Sequence, residues 1–192
     1  MINPLYPTGV ELMRREEVLF MVTISTLSSL GVGLLGSIYT IFILNRFPAS
    51  TLDIGFLLTV FGISSAIFKI VAGKMIDIYG KKIVFLTGVL LGALSSLAYI
   101  FAYDLTHLYL IELFSGISYA LQDPARLTLI VEMGGRKRRG FVMGISESAY
   151  DIAGSVAAFI AALIVTKAGF EMVFIMCSGC QILTGLMVLK MR

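Results

Sequence analysis

Residues Ile54–Ala72 read IGFLLTVFGISSAIFKIVA, an apolar run of 19 residues whose one charged side chain is Lys69. The hydrocarbon core of a bilayer is about 30 Å thick, so about 20 helical residues are needed to cross it. Every backbone N–H and C=O group in hydrocarbon must be hydrogen-bonded within the protein, and a helix does this within one segment. The run therefore predicts a membrane-spanning helix.

Apolar runs of similar length lie on both sides of this stretch. Of the 192 residues, 58% are hydrophobic and 14% are charged, whereas roughly 25% of residues are charged in soluble domains. The sequence predicts an all-α, polytopic membrane protein with a cytoplasmic segment at residues 1–17 and a six-helix membrane domain at residues 18–192. The predicted spans are Val18–Leu44, Ile54–Ala72, Ile83–Tyr103, Leu108–Val131, Phe141–Val165 and Met172–Leu189.

Basic residues at the ends of the runs and between them are distributed unequally between the two sides. Lys and Arg are enriched in cytoplasmic loops, so the side with more basic residues is predicted to be cytoplasmic. This places both termini in the cytoplasm, with the protein in a plasma (inner) membrane. The poorer side has only Arg46 and Lys167. The richer side has 12 bases, namely Arg14, Arg15, Lys74, Lys81, Lys82, Arg126, Arg136, Lys137, Arg138, Arg139, Lys190 and Arg192.

The two halves of the chain resemble each other when one is shifted by 89 residues. Gly55 then falls on Gly144, Gly80 on Gly169, and the pair at 84–85 on the pair at 173–174. With three spans in each half, the second half has the opposite orientation in the membrane, a pattern found in secondary transporters. We therefore expect two inverted three-helix repeats.

Ionisable and small polar residues inside the spans indicate which helices face a cavity. A charge within the membrane is costly and normally faces a cavity or a partner. Helical periodicity groups such residues on the first, fourth and fifth spans, while the third and sixth have no charge and are expected to face lipid or support the bundle. The predicted binding residues are Glu112, Asp123, Glu147 and Asp151, and the predicted cavity-lining residues are Ser25, Ser29, Gly36 and Tyr119.

Three of these carboxylates have similar depths. At about 1.5 Å per residue, Asp123, Glu147 and Asp151 lie roughly 9–15 Å from the inner ends of their spans. Grouped carboxylates in a low dielectric favour proton binding or attract a cation, although each could instead cap, pair or pack. Lys69 could pair with them, but we expect it to snorkel to the interface. Because no central base is expected, a neutral or cationic solute is preferred over an anion.

The stretch GKMIDIYGKK, residues 73–82, lies between the second and third spans. It resembles the G-x-x-x-D-x-x-G-[RK]-[RK] signature of the major facilitator superfamily. The resemblance implies alternating access to a solute site near the midplane, and a gating loop whose carboxylate interacts across the interface between two six-helix halves. The residues carried over to that gating role are Gly73, Asp77, Gly80, Lys81, Lys82 and Arg139.

The later spans continue this resemblance with departures. Pro124-Ala125 and Arg139-Gly140 are similar to the family's passage from the fourth to the fifth span. Glu112 stands where the family often has Arg, and the fifth span lacks the Gly-Pro of the antiporter signature. These departures weaken any transfer of antiport or substrate class. Since family members typically have twelve spans, we expect a homodimer or a separate second half; the alternative is a non-transporting membrane subunit or an inactive half.

Other motifs do not indicate enzymatic chemistry. Gly31–Gly36 match G-x-G-x-x-G, but they lie within an apolar span with no preceding strand, so they predict close helix packing and not nucleotide binding. Two Cys and one His provide too few ligands for a recognisable metal site. We expect no enzyme, no cofactor, no metal and no nucleic-acid partner; the expected partners are a solute, protons and membrane lipid.

Overall fold

A computed structural model describes residues 15–133 and 139–190 of the chain. These ranges contain six α-helices: α1 (Arg15–Arg46), α2 (Thr51–Tyr79), α3 (Lys81–Ala98), α4 (Leu105–Met133), α5 (Arg139–Ala168) and α6 (Phe170–Lys190). A short 3-10 turn, Tyr99–Phe101, continues α3. The all-α prediction is confirmed. Most of the predicted N-terminal segment 1–17, and residues 136–138 of the basic loop, lie outside the described residues.

Five of the six helices are long and apolar enough to cross a membrane. The exception is α4, which carries Glu112, Asp123, Arg126 and Glu132. These charged residues lower its mean hydropathy. Glu112 and Arg126 are each only 3% exposed, so these charges face other helices. The chain is an integral, multi-pass membrane protein whose most polar helix turns Glu112 and Arg126 toward its neighbours.

Local capping determines where several helices begin and end. Ser50 and Asp53 form a reciprocal capping box at the start of α2, which satisfies backbone N–H groups that the first turn leaves free. The Asp104 carboxylate accepts a hydrogen bond from the His107 backbone N–H at 2.8 Å and so caps the start of α4. Gly80 and Gly169 end α2 and α5 with φ of 85° and 82°, a conformation that glycine adopts without steric cost.

The connection between α2 and α3 is much shorter than predicted. The sequence places a loop at residues 73–82, whereas α2 continues through Tyr79 and α3 begins at Lys81. Gly80 alone makes the turn. The prediction of a ten-residue loop is wrong because the helix extends beyond its most apolar segment with polar residues such as Lys74 and Asp77.

Helix packing follows the predicted internal repeat. The predicted repeat makes α1, α2 and α3 equivalent to α4, α5 and α6. The contact between α1 and α5 then corresponds to that between α4 and α2, and the contact between α3 and α4 to that between α6 and α1. The contact between α3 and α6 corresponds to itself, and all of these contacts are observed. The two positive-φ glycines are equivalent under the same exchange. Val84, Phe85, Val173 and Phe174, the paired positions after those glycines, are all buried. The bundle therefore has the pseudo-twofold organisation expected of inverted three-helix repeats.

Glycines allow the closest helix contacts. A Cβ atom on Gly33 of α1 would lie 3.0 Å from the Gly154 Cα atom of α5. A Cβ atom on Gly92 of α3 would lie 2.5 Å from the Ser118 hydroxyl of α4. The motif at Gly31–Gly36 thus contributes to close packing within the bundle.

Candidate functional site

Four charged side chains from three helices form a charged cluster: Lys69 of α2, Asp123 and Arg126 of α4, and Glu147 of α5. The Lys69 ammonium lies 2.8 Å from one Asp123 oxygen. The Arg126 guanidinium lies 3.4 Å from the other Asp123 oxygen and 2.9 Å from Glu147. With two bases and two acids, the cluster has no formal net charge, which reduces the cost of holding charges away from water.

Arg126 is the centre of the charged cluster. Its guanidinium also donates to the Ser25 hydroxyl of α1 at 3.4 Å and lies 4.4 Å from the centre of the Tyr150 ring of α5. A guanidinium over an aromatic face is attracted electrostatically. Through this one side chain, α1, α4 and α5 are joined, and Asp123 extends the connection to Lys69 of α2.

Two basic residues lie where the sequence did not place them. Arg126 was predicted on the cytoplasmic surface, but it lies inside α4 with 4% of its side chain exposed. Lys69 was expected to snorkel, but it pairs with Asp123 and lies 4.8 Å from the centre of the Tyr119 ring. The expectation for Arg126 is wrong, because carboxylates hold this cation within the bundle, whereas Lys69 takes the alternative of a carboxylate partner with 39% of its side chain exposed. The expected absence of an internal base is corrected for the same reason.

The structure brings together only part of the predicted acidic group. Asp123 and Glu147 share Arg126, and the Glu147 side chain remains 42% exposed. Asp151 is exposed and lies in an open groove between α1 and α5, together with Ser29 and Gly33. The carboxylates therefore belong to two environments, one paired with bases and one open.

A central cavity of about 330 Å³ lies among α1, α2, α3, α4 and α6. Its lining is mainly apolar and aromatic, with residues such as Leu35, Phe61 and Tyr119. Glu112 is the one charged residue that lines it within residues 15–133 and 139–190. The volume and composition are typical of a small-molecule site, which is usually a largely apolar pocket with a few polar groups.

Glu112 is held by a tyrosine at the edge of an aromatic core. The Tyr99 hydroxyl donates to the Glu112 carboxylate at 2.6 Å. Tyr99 is itself fixed by stacking on Phe174, with ring centres 5.4 Å apart, and Phe42 packs edge-on against Phe174 at 4.9 Å. This core explains why Glu112 has a defined position despite its distance from the charged cluster.

Three uncharged polar residues form the floor of the cavity, and the sequence analysis missed them. The Gln122 side-chain amide donates to the Ser118 hydroxyl at 2.8 Å and to the Gly88 backbone carbonyl at 3.1 Å. It also lies 3.4 Å from the side-chain amide oxygen of Gln181. Ser118 also donates to the Gly88 carbonyl. The available signal was polar residues within apolar runs at 118, 122 and 181, without any charge to draw attention to them.

The predicted cavity-lining residues divide into two groups. Gly36 and Tyr119 do line the central cavity. Ser25 and Ser29 do not line this cavity. Ser25 is a buried partner of Arg126, whereas Ser29, whose hydroxyl donates to the Tyr150 carbonyl, lines the open groove beside Asp151.

The division of roles among the helices also needs correction. The cavity has lining residues from α3 and α6, including Gly92, Ser96 and Gln181. These helices were expected only to face lipid or support the bundle. Among the described residues, α5 contributes none to this cavity, because it packs mainly against α1.

The predicted gating residues lie at the end of the bundle that holds Gly80, which we call the basic end. Lys81, at the start of α3, forms an ion pair with Glu132 near the end of α4. Asp77 and Arg139 are exposed, while Gly73 lies within α2 and Lys82 lies in the first turn of α3. The residues share one end of the molecule, and their gating role stays a prediction.

Comparison with known proteins gives consistent similarities. A model of the Major Facilitator Superfamily matches residues 21–192. The chain is 28% identical over 172 residues to an uncharacterized MFS-type transporter of Methanocaldococcus jannaschii, covering 89% of this chain and 44% of that protein.

Two further relatives are similar over shorter stretches. The chain is 26% identical to Multidrug resistance protein 2 of Bacillus subtilis, covering 71% of this chain and 34% of that protein. It is 27% identical to the niacin transporter NiaP of Acinetobacter baylyi, covering 63% and 28%. The chain thus spans less than half the length of these relatives.

Proposed function

This chain belongs to the Major Facilitator Superfamily, and from that premise we propose that it moves a small solute across a membrane by alternating access. The observation that carries the proposal is the central cavity of about 330 Å³, which has one buried carboxylate and an otherwise mostly apolar lining. Such a cavity within a membrane bundle has the size and composition of a solute site. The basic end is assigned to the cytoplasm, with both termini there, in the plasma (inner) membrane.

Transport in this proposal involves a second six-helix unit, either another copy of this chain or a separate half. Among the five most apolar helices, α2 and α5 are the least buried, at 22% and 17% of their most apolar segments. Asp151 of α5 is exposed about 18 Å from the start of its helix, and a carboxylate at that depth is costly next to lipid. A second unit or an aqueous cleft must cover it.

Asp77 is placed at the same interface. It is exposed near the end of α2, and a carboxylate there could cap a helix of the second unit with about 0.3–1 kcal/mol of stabilisation. Mass measurement in lipid nanodiscs tests the association. Active single copies without a second unit would contradict it.

The solute is proposed to be neutral or cationic. The membrane domain does contain two bases, Lys69 and Arg126, but both are engaged with Asp123 and Glu147. The charge that lines the cavity is the Glu112 carboxylate. An anion would meet an acid there without a free base to compensate it.

Alternating access is tested by the exposure of one cavity residue to each side of the membrane. The chain has two cysteines, so Cys177→Ser and Cys180→Ser give a background for Ser115→Cys, at a lining position of α4. An impermeant thiol reagent should modify this cysteine from either side in vesicles of known orientation. Ser146→Cys, at a fully buried position, is the matched control and should stay unmodified. Modification of Ser115→Cys from one side only, under all conditions, would contradict the mechanism.

Proton binding to Glu147 and Asp151 is proposed to drive the conformational change, while Asp123 stays paired with Arg126. Glu147 is partly exposed and supplies the ion pair between α4 and α5. When it takes up a proton, Arg126 keeps Asp123 as a counter-charge, so the pair between the helices weakens without leaving a buried cation unpaired.

We expect acidification to change the side from which Ser115→Cys is modified. Glu147→Gln should show the modification pattern of acidic pH at neutral pH as well, because the glutamine side chain is permanently neutral. Adding Asp151→Asn should remove the remaining pH dependence. Glu171→Gln, an exposed acid paired with Arg46 at the opposite end, should respond like the wild type. An unchanged pH response in the double variant would reject these proton sites.

A further inference from the structure

Glu112 is the charged group of a cavity that contains no base among its described lining residues. It lies roughly 16 Å along α4 from Asp123, given the helical rise per residue. The neutral Tyr99 hydroxyl donates a hydrogen bond to it at 2.6 Å. A carboxylate so placed gains a hydrogen bond but no neutralising charge from the protein, and an unneutralised buried charge is costly.

Aromatic rings surround the same part of the cavity. The Tyr39 and Tyr99 rings lie 6.0 Å apart at an interplanar angle of 74°, and both line the cavity beside Glu112. Phe61 and Tyr119, whose ring centres lie 5.8 Å apart, line its other side. The faces of such rings attract cations, above all those with a diffuse charge such as quaternary ammonium groups.

The Tyr39 hydroxyl lies at the same carboxylate. Tyr39 is 5% exposed, and its hydroxyl interacts with Glu112, as the Tyr99 hydroxyl does. Glu112 is therefore surrounded by neutral tyrosine side chains, and the solute has to supply the positive charge.

We infer that the central cavity binds a monovalent organic cation with an apolar or aromatic body, whose charged centre lies beside the Glu112 carboxylate and among the aromatic rings that line the cavity. The cation neutralises the one charge of the cavity, the ring faces attract it, and its body contacts the apolar wall formed by residues such as Leu35 and Leu58. This inference rests on the proposed function in taking the cavity as the solute site, and it names the class of solute.

An organic anion does not fit the same wall. The guanidinium of Arg126 is 4% exposed and already has two carboxylate partners, and Lys69 is paired with Asp123. Binding an anion would require breaking one of these pairs and would leave Glu112 without compensation.

The test measures binding of phenyltrimethylammonium to the purified chain in lipid nanodiscs by calorimetry, with benzenesulfonate as an anion of similar size. We expect the cation to bind and the anion not to bind. Glu112→Gln should weaken binding of the cation about tenfold or more, as expected for removal of a desolvated counter-charge worth about 1.4 kcal/mol. Glu171→Gln, the same change at an exposed site outside the cavity, should have no effect.

A second pair of variants keeps the test informative if Glu112→Gln folds poorly. Tyr39→Phe keeps the ring and removes only the hydroxyl, with which a quaternary ammonium forms no hydrogen bond, so the cation should bind within about twofold of wild type. Tyr39→Leu removes the ring and should weaken binding of the cation severalfold. Equal binding of the cation and the anion, or unchanged affinity in both Glu112→Gln and Tyr39→Leu, would overturn the inference.

The two proposals fail in different ways. Cation binding that depends on Glu112, combined with access to Ser115→Cys from one side only, would support this inference and reject transport. Access from both sides without cation binding would support transport and reject this class of solute.

Discussion

Replacing Arg126 by methionine is expected to destabilise the bundle by about 3–5 kcal/mol, the usual cost of removing one partner from a buried ion pair. The guanidinium is 4% exposed and contacts Asp123 and Glu147 at once. Its loss leaves Glu147 without a counter-charge and Asp123 with Lys69 alone. The contacts with Ser25 and Tyr150, which tie α1 and α5 to α4, are lost as well.

Thermal unfolding in detergent, followed by helical circular dichroism, measures the effect. Arg46→Met is the matched control, because Arg46 pairs with Glu171 at an exposed site, where both side chains are about half exposed, and such pairs contribute roughly 0–1 kcal/mol. Adding Glu147→Gln to Arg126→Met should restore part of the stability by removing the unpaired charge. Equal losses in Arg126→Met and Arg46→Met would show that the charged cluster does not stabilise the fold.

Gly116→Ala is the second change with a large expected effect. A Cβ atom at Gly116 of α4 would lie 2.6 Å from the Phe61 carbonyl oxygen and 1.9 Å from the Ser64 hydroxyl of α2. The Ser64 hydroxyl can rotate away, but the carbonyl belongs to the backbone of α2. The two helices must therefore separate, and overpacking of this kind typically costs about 1–3 kcal/mol.

Gly62→Ala provides the comparison within the same helix pair. Apart from the adjacent backbone of α2, no atom lies within 4 Å of a Cβ at Gly62, and alanine is favoured over glycine in helices by up to about 1 kcal/mol. We expect the melting temperature to fall in Gly116→Ala and to stay or rise in Gly62→Ala. A melting temperature for Gly116→Ala at or above that of Gly62→Ala would contradict the close contact between α2 and α4.

The sequence predicted the helices well because their signal is strong and local. An apolar run of about 20 residues has few alternatives in a bilayer, and the six runs correspond to the six helices. The shift of 89 residues also predicted the repeat, including the equivalent turns at Gly80 and Gly169. Helix ends were less predictable, because α2 extends past Ala72 with residues that also suit a loop.

The side-chain partners within the bundle could be predicted only in part. Helical periodicity placed Asp123 and Glu147 on inward faces, but whether each meets a proton, a solute or a base depends on contacts between distant segments. Lys69 and Asp123 are 54 residues apart, and no local pattern specifies that pair. For Arg126 a signal existed: it lies within the predicted fourth span, three residues after Asp123, which already favoured a buried position.

The polarity of α4 has a consequence for how the chain enters the membrane. An Asp, Lys or Arg near the centre of an inserting helix costs about 2.5–3.5 kcal/mol, and α4 carries two such residues close together, Asp123 and Arg126. During synthesis α2 precedes α4, so Lys69 is already in the bilayer when Asp123 arrives, whereas Glu147 follows with α5. We therefore expect insertion of α4 to be cooperative, with α2 already in place to provide a counter-charge for Asp123.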